Sequence, residues 1–322
     1  MELQFLGTSA GTPTKRRNVS GLAVKKVNQK SWILVDCGEG TQQQILHTPL
    51  SLVRLQAICI THLHGDHCYG LPGLLASASL MGRTEPLTLI GPAPLQAWLT
   101  LTQQVSQLVL NYELHFVDVV GLTHAIEVAG FMISAHPLSH RVPSFAYQLV
   151  EIGLPRHLDK EKLVAKGIAS GPIWGQLHRG ETVTLADGRR LAGPDYWLPT
   201  RVARHIIIAG DNDRPDLLAK ASVACHLLVH EATYTQEIAD KVGPKPQHSS
   251  AKMIATFAQE VGLSNLLLTH FSPRYQAQSS GLTIEDIEQE ARAYYSGNLH
   301  LAEDLAIYHL DSNGHLSQRH FQ

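Results

Sequence analysis

Thr61-His62-Leu63-His64-Gly65-Asp66-His67 decides how this chain is read. Three imidazoles and one carboxylate fall within six residues, directly after the apolar, β-branched run Ile58-Cys59-Ile60-Thr61. The pattern suits neither a core segment nor an ordinary solvated loop. On an extended chain residues two apart point the same way, so His62 and His64 can grip one cation from one side. Asp66 and His67 fall at the turn into the next element and can face a second cation. Neutral imidazole together with carboxylate suits zinc or a similar divalent ion. The chain has 19 histidines, so no single one carries this reading; the ordered spacing behind a strand does.

The bulk of the sequence sets bounds. A hydrophobic content of 44% and a charged content of 17% exclude an intrinsically disordered chain, and 322 residues can bury a full core. No run of about eighteen apolar residues appears, so no membrane partner is expected. The start, Met1-Glu2-Leu3-Gln4-Phe5-Leu6-Gly7, reads as a strand rather than a secretory leader, and a cytoplasmic location is expected. A net charge of −2 gives no global basic field, so a nucleic-acid partner would have to meet local clusters. Two stand out: Lys15-Arg16-Arg17 in the first loop, and Arg156, Lys160, Lys162 and Lys166 in one polar segment. The ordinary fate of such charge runs is a solvated face. Cys37, Cys59, Cys68 and Cys225 show neither paired disulfide spacing nor a C-x-x-C zinc pattern. Cys59 and Cys225 read as packed thiols; Cys68, next to His67, is a weak ligand candidate.

Strand and helix signals alternate outward from the histidine loop. Strands are expected over residues 2–6, 21–25 and 32–36, and Asp36-Cys37-Gly38-Glu39-Gly40 reads as the turn into a helix near Thr41. Beyond the loop come a helix over 71–81, entered through Pro72, a strand over 87–90 and a helix over 95–108. Strands near 114–117, 125–128, 131–136 and 145–150 follow. From 153 to 199 Gly, Pro and charge rise and apolar runs shorten, which reads as an inserted arm, not core. Strands resume over 205–209, 226–229 and 266–269, with helices near 249–261 and 284–295. Such alternation in both halves predicts an α/β sandwich of two sheets with helices outside.

Four later strand ends carry reactive residues. His140 follows its strand through Pro137-Leu138-Ser139; Asp211 ends Ile206-Ile207-Ile208-Ala209-Gly210; His230-Glu231 ends Leu227-Leu228-Val229; His270 ends Leu266-Leu267-Leu268-Thr269. One such residue is usually structural. Four of them, added to the histidine loop, supply enough ligands for two metals.

The H-x-H-x-D-H loop behind a strand resembles the metallo-β-lactamase superfamily, which implies an αββα sandwich with one or two metal ions at its edge. The superfamily alone fixes no substrate. The ordered set of other stretches resembles one family, ribonuclease Z, the short-form tRNA 3′-processing endonuclease. These are Phe5-Leu6-Gly7-Thr8-Ser9-Ala10-Gly11, Pro13-Thr14-Lys15-Arg16-Arg17-Asn18, Asp36-Cys37-Gly38-Glu39-Gly40-Thr41-Gln42 and residues 61–75. Pro137-Leu138-Ser139-His140 with Ser144-Phe145, Gly210-Asp211, His230-Glu231-Ala232-Thr233, His248-Ser249-Ser250 and Thr269-His270-Phe271-Ser272-Pro273-Arg274-Tyr275 complete it. They run nearly end to end.

The resemblance implies that His62, His64 and His140 bind one zinc ion, that Asp66, His67 and His270 bind the other, and that Asp211 bridges. Manganese or cobalt would also suit this set. It implies an endoribonuclease that removes the 3′ trailer from precursor tRNA, leaving a 3′ hydroxyl on the tRNA and a 5′ phosphate on the trailer. Attack by a hydroxide activated between two metals is expected, with Asp66 orienting it, His248 as general acid and Glu231 as its partner. The resemblance also implies one metallo-β-lactamase domain over 1–322 and a flexible inserted arm over 153–199. Its part near 153–177 would clamp tRNA, with Lys15-Arg16-Arg17 meeting the acceptor end. A homodimer is expected, and no nucleotide cofactor. Three departures stand out: Asn212 where relatives commonly have Thr, Ala146 where Gly is common, and an arm start, Glu151-Ile152-Gly153-Leu154-Pro155-Arg156-His157, poorer in Gly and in basic residues. The alternatives are a metallo-hydrolase of small esters or phosphodiesters on the same fold, and a nucleic-acid-binding protein that kept a structural metal.

Overall fold

Trp32-Ile33-Leu34-Val35 shows how the layers arise. In the computed structural model, which describes residues 1–122, 124–275 and 281–319, this strand is buried on both faces. Ile33 and Val35 join one apolar layer, while Trp32 and Leu34 join another. A strand's side chains alternate between faces, so a continuous apolar run needs cover on both sides. The second sheet repeats the logic: Ile206 and Ile208 face the first layer, Ile207 a third.

The first sheet has eight strands, in the spatial order Leu316–Arg319, Ile307–Leu310, Glu2–Gly7, Gly21–Lys25, Trp32–Val35, Leu55–Cys59, Leu87–Gly91 and Leu114–Asp118. Its last four strands run parallel to one another, the rest antiparallel. The second has seven, in the order Asn298–Leu301, Asn265–Thr269, Leu227–Glu231, His205–Ala209, Ser144–Glu151, Phe131–Leu138 and Ile126–Val128. Four of them, from Asn298–Leu301 to His205–Ala209, are parallel. The shared inner layer holds Leu3, Phe5, Ile33, Val35, Tyr147, Ile206, Val229 and Leu267. Helices Leu71–Leu80 and Pro94–Ser106 cover the outside of the first sheet. Ala251–Glu260 and Ile284–Tyr294 cover the second. This is the expected αββα sandwich. Full burial of each large aliphatic side chain contributes roughly 1.5–3 kcal/mol against exposure, and two sheets with both faces covered bury many. No helix of the described residues is long and apolar enough to cross a membrane.

The chain divides into two compact units: Met1–Val150 with Arg204–Gln322, and Glu151–Ala203. The smaller one, which contains the expected arm, has structure of its own. Strand Arg156–Leu158 pairs with Trp197–Pro199, and Thr182–Thr184 pairs with Arg190–Ala192. Helices Lys160–Ala165 and Pro172–Arg179 lie between them in sequence. Leu158, Leu163, Ile168, Leu177, Leu191 and Tyr196 form a small buried cluster. The sequence reading expected no core here, because the contributing residues are spaced too far apart to make a periodic run. Residues 153–177 do not stand alone in this unit: Trp197 Nε1 donates to the Leu177 carbonyl at 2.9 Å, and Lys162 Nζ to the Asp195 carbonyl at 2.8 Å.

Candidate metal centre and its acid pair

The histidine loop begins where the strand Leu55–Cys59 ends, and Gly65–Cys68 makes one helical turn. Asp36 holds the loop in place. Its carboxylate accepts from the Thr61 N–H at 2.8 Å, from the Thr61 hydroxyl at 2.9 Å and from His67 Nδ1 at 2.7 Å. Asp36 sits at φ 59°, one of three residues at this site, with Gln247 and His270, whose φ is positive without being glycine. Backbone strain of this kind persists only where surrounding contacts over-determine it. Gly38 allows the close approach: a Cβ there would lie 2.3 Å from the Asp66 carbonyl oxygen.

Seven of the expected side chains converge. His62 Nε2 and His140 Nε2 lie 3.2 and 3.1 Å from His64 Nδ1, and 3.6 and 3.7 Å from Asp211 Oδ2. On the other side, His67 Nε2 lies 3.2 Å from His270 Nε2 and 3.5 Å from both Asp66 Oδ2 and Asp211 Oδ1. His270 Nε2 is 3.3 Å from Asp66 Oδ2 and 3.4 Å from Asp211 Oδ1. Asp211 therefore turns one oxygen to each group. Four ligands at the usual zinc distances of about 2.0–2.1 Å define a tetrahedron with edges of about 3.3 Å. The donor spacings match that edge, and the nitrogen-rich donor set suits a borderline transition ion better than calcium or magnesium.

The ring orientations are fixed from behind. The Thr61 hydroxyl gives its proton to Asp36, so it accepts from His62 Nδ1 at 3.0 Å. His140 Nδ1 donates to the Gln247 carbonyl at 2.8 Å. The Thr233 hydroxyl donates to Glu231 and so accepts from His270 Nδ1 at 3.0 Å. With His67 bound to Asp36, four rings donate through Nδ1 and turn Nε2 inward, the arrangement that raises ligand basicity and holds geometry. Burial pushes His62, His64 and His140 below the ordinary histidine range, as neutral ligands require. Burial also opposes charge on His67, but Asp211, Asp36 and Asp66 outweigh it and lift its value to about 10. A divalent ion would compete with that proton.

His248 lies close enough to Asp211 and His270 to make a third metal-type grouping, and it also pairs with a buried carboxylate. Its Nδ1 donates to Glu231 Oε2 at 2.9 Å and lies 3.7 Å from Asp211 Oδ2. Burial works against its charge, yet Glu231, through charge and hydrogen bond, and then Asp211 raise it to about 9. Glu231 is buried, and its other oxygen accepts from the Asn212 N–H at 2.7 Å. Cys68 takes another role: its thiol donates to the His64 carbonyl at 3.3 Å, and burial together with Asp36 pushes it up to about 12. It remains a thiol, not a ligand.

The cationic residues divide. Lys15 and Arg16 are exposed, whereas Arg17 donates to the Thr8 hydroxyl at 2.7 Å and the Ala302 carbonyl at 2.8 Å, and lies over the Phe271 ring. In the smaller unit the Arg156 guanidinium stacks 3.2 Å from the Trp197 ring centroid, and Lys160 is exposed. Lys162 and Lys166 line a cleft around Tyr196 together with Arg189 and Arg190. The two arginines lie beyond the cluster that sequence reading singled out. Their signal was adjacency, Arg189-Arg190, in a stretch read as part of the inserted arm. Asp36 and Thr233 were also missed as site residues. Asp36 is a carboxylate at a strand end, so the rule that found Asp211 would have found it.

Comparison with known proteins agrees with the geometry. Ribonuclease Z of Marinobacter nauticus is 50% identical over 314 residues, covering 97% of each chain. Ribonuclease Z of Pseudomonas putida strain W619 is 50% identical over 321 residues, covering 99% of each. Among solved structures, the short form of human tRNase Z (ELAC1) superposes with a TM-score of 0.66 at 27% identity, covering 97% of this chain and all of that one. A family model described as anti-Pycsar protein Apyc1 matches residues 1–147, less than half of the chain.

Proposed function

The chain belongs to the ribonuclease Z family and is an endoribonuclease; on that premise we propose that it cuts precursor tRNA at the 3′ side, leaving a 3′ hydroxyl on the tRNA and a 5′ phosphate on the trailer. The observation that carries the reading is the Glu231–His248 pair: at the edge of seven convergent metal-type donors, and close enough to Asp211 and His270 to group with them, His248 is instead bound to a buried carboxylate that favours its protonated form.

His62, His64, His140 and Asp211 would hold one divalent ion, and Asp66, His67, His270 and Asp211 a second; we propose zinc, with manganese and cobalt compatible. Bound there, such ions supply an acidified water and positive charge for the phosphoryl oxygens. The protein's own groups do the rest. Asp66 Oδ2 accepts from the Gly11 N–H at 2.7 Å, so the first loop fixes the carboxylate that orients the attacking water. As the P–O3′ bond breaks, His248 gives its proton to the departing ribose oxygen, a poor leaving group unless protonated. Glu231 stabilises the imidazolium beforehand and keeps the ring aimed.

Substrate affinity would come from the exposed cations: Lys15 and Arg16 in the body, and Lys162, Lys166, Arg189 and Arg190 in the smaller unit, as phosphate contacts that position without reading sequence. A homodimer is part of the proposal on family resemblance, and a cytoplasmic setting agrees with four cysteines that are all free thiols. A 5′-labelled precursor tRNA with a 3′ trailer tests the reading. One cut after the discriminator base, abolished by EDTA and restored by zinc, is expected. Hydrolysis of a generic phosphodiester without that cut would move the protein to the small-substrate hydrolases.

A further inference from the structure

Asn212, the residue next to the candidate bridging ligand Asp211, is fully buried, and its side chain makes three contacts to two separate elements. Its Oδ1 accepts from the Ser139 N–H at 3.2 Å and from the Arg214 N–H at 3.1 Å. Its Nδ2 faces His230 Nε2 at 3.1 Å. The chemistry of the partners fixes the direction of each bond. Two backbone N–H groups require the amide oxygen. His230 Nδ1 lies 2.9 Å from the Glu231 carbonyl, which only accepts, so the ring proton is on Nδ1 and Nε2 must receive from the amide. Burial holds His230 below the ordinary histidine range, consistent with that neutral ring.

The contacts reach every part of the acid-pair side of the site. Ser139 precedes His140, and its carbonyl also accepts from the Asp213 N–H at 3.1 Å, so the turn carrying His140 is pinned twice to the turn after Asp211. His230 precedes Glu231 on its strand. The Asn212 backbone completes the set: its N–H binds Glu231, and its carbonyl accepts from the Ser249 hydroxyl at 2.6 Å, next to His248. We infer that Asn212 is a positioning residue whose amide ties the His140 turn and the His230-Glu231 strand end to Asp211, and so sets the distance between the metal donors and the acid pair. The inference rests on the proposed function for its kinetic part only.

The test compares Asn212→Leu and Asn212→Asp with the unaltered full-length protein. Asn212→Leu removes donor and acceptor while keeping the branched heavy-atom skeleton; Asn212→Asp keeps the acceptor and loses the donor. Three readouts are taken: kcat and KM on precursor tRNA, the visible absorption spectrum after cobalt loading, and Tm. For Asn212→Leu, a kcat lower by about 10–100-fold is expected, the range for losing a contact behind a ligand, with KM within about threefold and an altered cobalt spectrum. Asn212→Asp should keep the cobalt spectrum, because the His140 turn stays held, and still lose kcat. An Asn212→Leu protein with wild-type kcat and spectrum but a lower Tm would overturn the inference, showing a packing role only. If Asn212→Leu does not fold, an Asn212→Asp protein with wild-type kcat overturns it equally. Should the unaltered protein fail to cut precursor tRNA, the functional reading falls, and the cobalt spectra of the two variants still decide the positioning role.

Discussion

The candidate metal centre and the cationic cleft of the smaller unit solve opposite physical problems. In the centre four of the five histidine donors have a second contact behind them: Asp36 behind His67, Thr61 behind His62, Gln247 behind His140, Thr233 behind His270. In the cleft, Lys162, Lys166, Arg189 and Arg190 are exposed and carry few contacts, Lys162 to the Asp195 carbonyl and Arg189 to Asp187 and the Lys166 carbonyl. Bond breaking needs atoms fixed to a fraction of an ångström, so the sequence spends buried polar residues on holding others. Phosphate attraction needs charge within a Debye length and tolerates mobile side chains. The contrast teaches where substitutions should change turnover and where they should change affinity.

The comparison breaks first, and hardest, at the residue shared by both donor groups. Asp211→Ala should lower turnover of any phosphodiester by roughly a thousandfold or more, since metal charge stabilisation is worth several kcal/mol. Metal per chain, measured by mass spectrometry, should fall with it; a variant that keeps both activity and metal would remove Asp211 from the centre. His248→Ala comes next, with kcat on precursor tRNA down by about 10²–10⁴-fold and metal content unchanged. Loss of metal in that variant would make His248 a ligand and end its role as acid.

Smaller effects sharpen the boundary of the centre. Asp36→Ala should weaken metal binding by about 10–100-fold, the usual cost of losing a contact behind a ligand, read by titration against a chelator of known affinity. Unchanged affinity would make Asp36 a turn residue alone. Arg17→Ala should act on stability, about 1–3 kcal/mol for the lost charged hydrogen bonds, seen as a lower Tm, while Lys15→Ala should leave Tm alone and raise KM slightly. The reverse outcome would place Arg17 with the substrate contacts.

How much of this was legible in the sequence follows from the same physics. The layers were readable because strands covered on both faces must be continuous apolar runs, as in Ile206-Ile207-Ile208 and Leu266-Leu267-Leu268. The seven converging donors were readable because each sits at the end of such a run or in the loop beside one. The C-terminal strands Asn298–Leu301, Ile307–Leu310 and Leu316–Arg319 were not, since they are short and interrupted by polar residues. The small core of the inserted unit stayed hidden because its members, from Leu158 to Tyr196, meet only after folding. Asp36 and Thr233 act through other side chains; Asp36 carries the strand-end signal that marked Asp211, whereas no local pattern marks Thr233, whose work is to orient its neighbour.

The most direct test of the contrast is kinetic, with two substrates and one variant. Lys162, Lys166, Arg189 and Arg190 are all changed to Ala, and kcat and KM are measured on precursor tRNA and on bis(p-nitrophenyl) phosphate. A KM on precursor tRNA raised about tenfold or more, with a weaker salt dependence and unchanged turnover of the small ester, is the predicted result. An unchanged KM on precursor tRNA, or a fall in small-ester turnover, would contradict the division of labour between fixed donors and exposed charge.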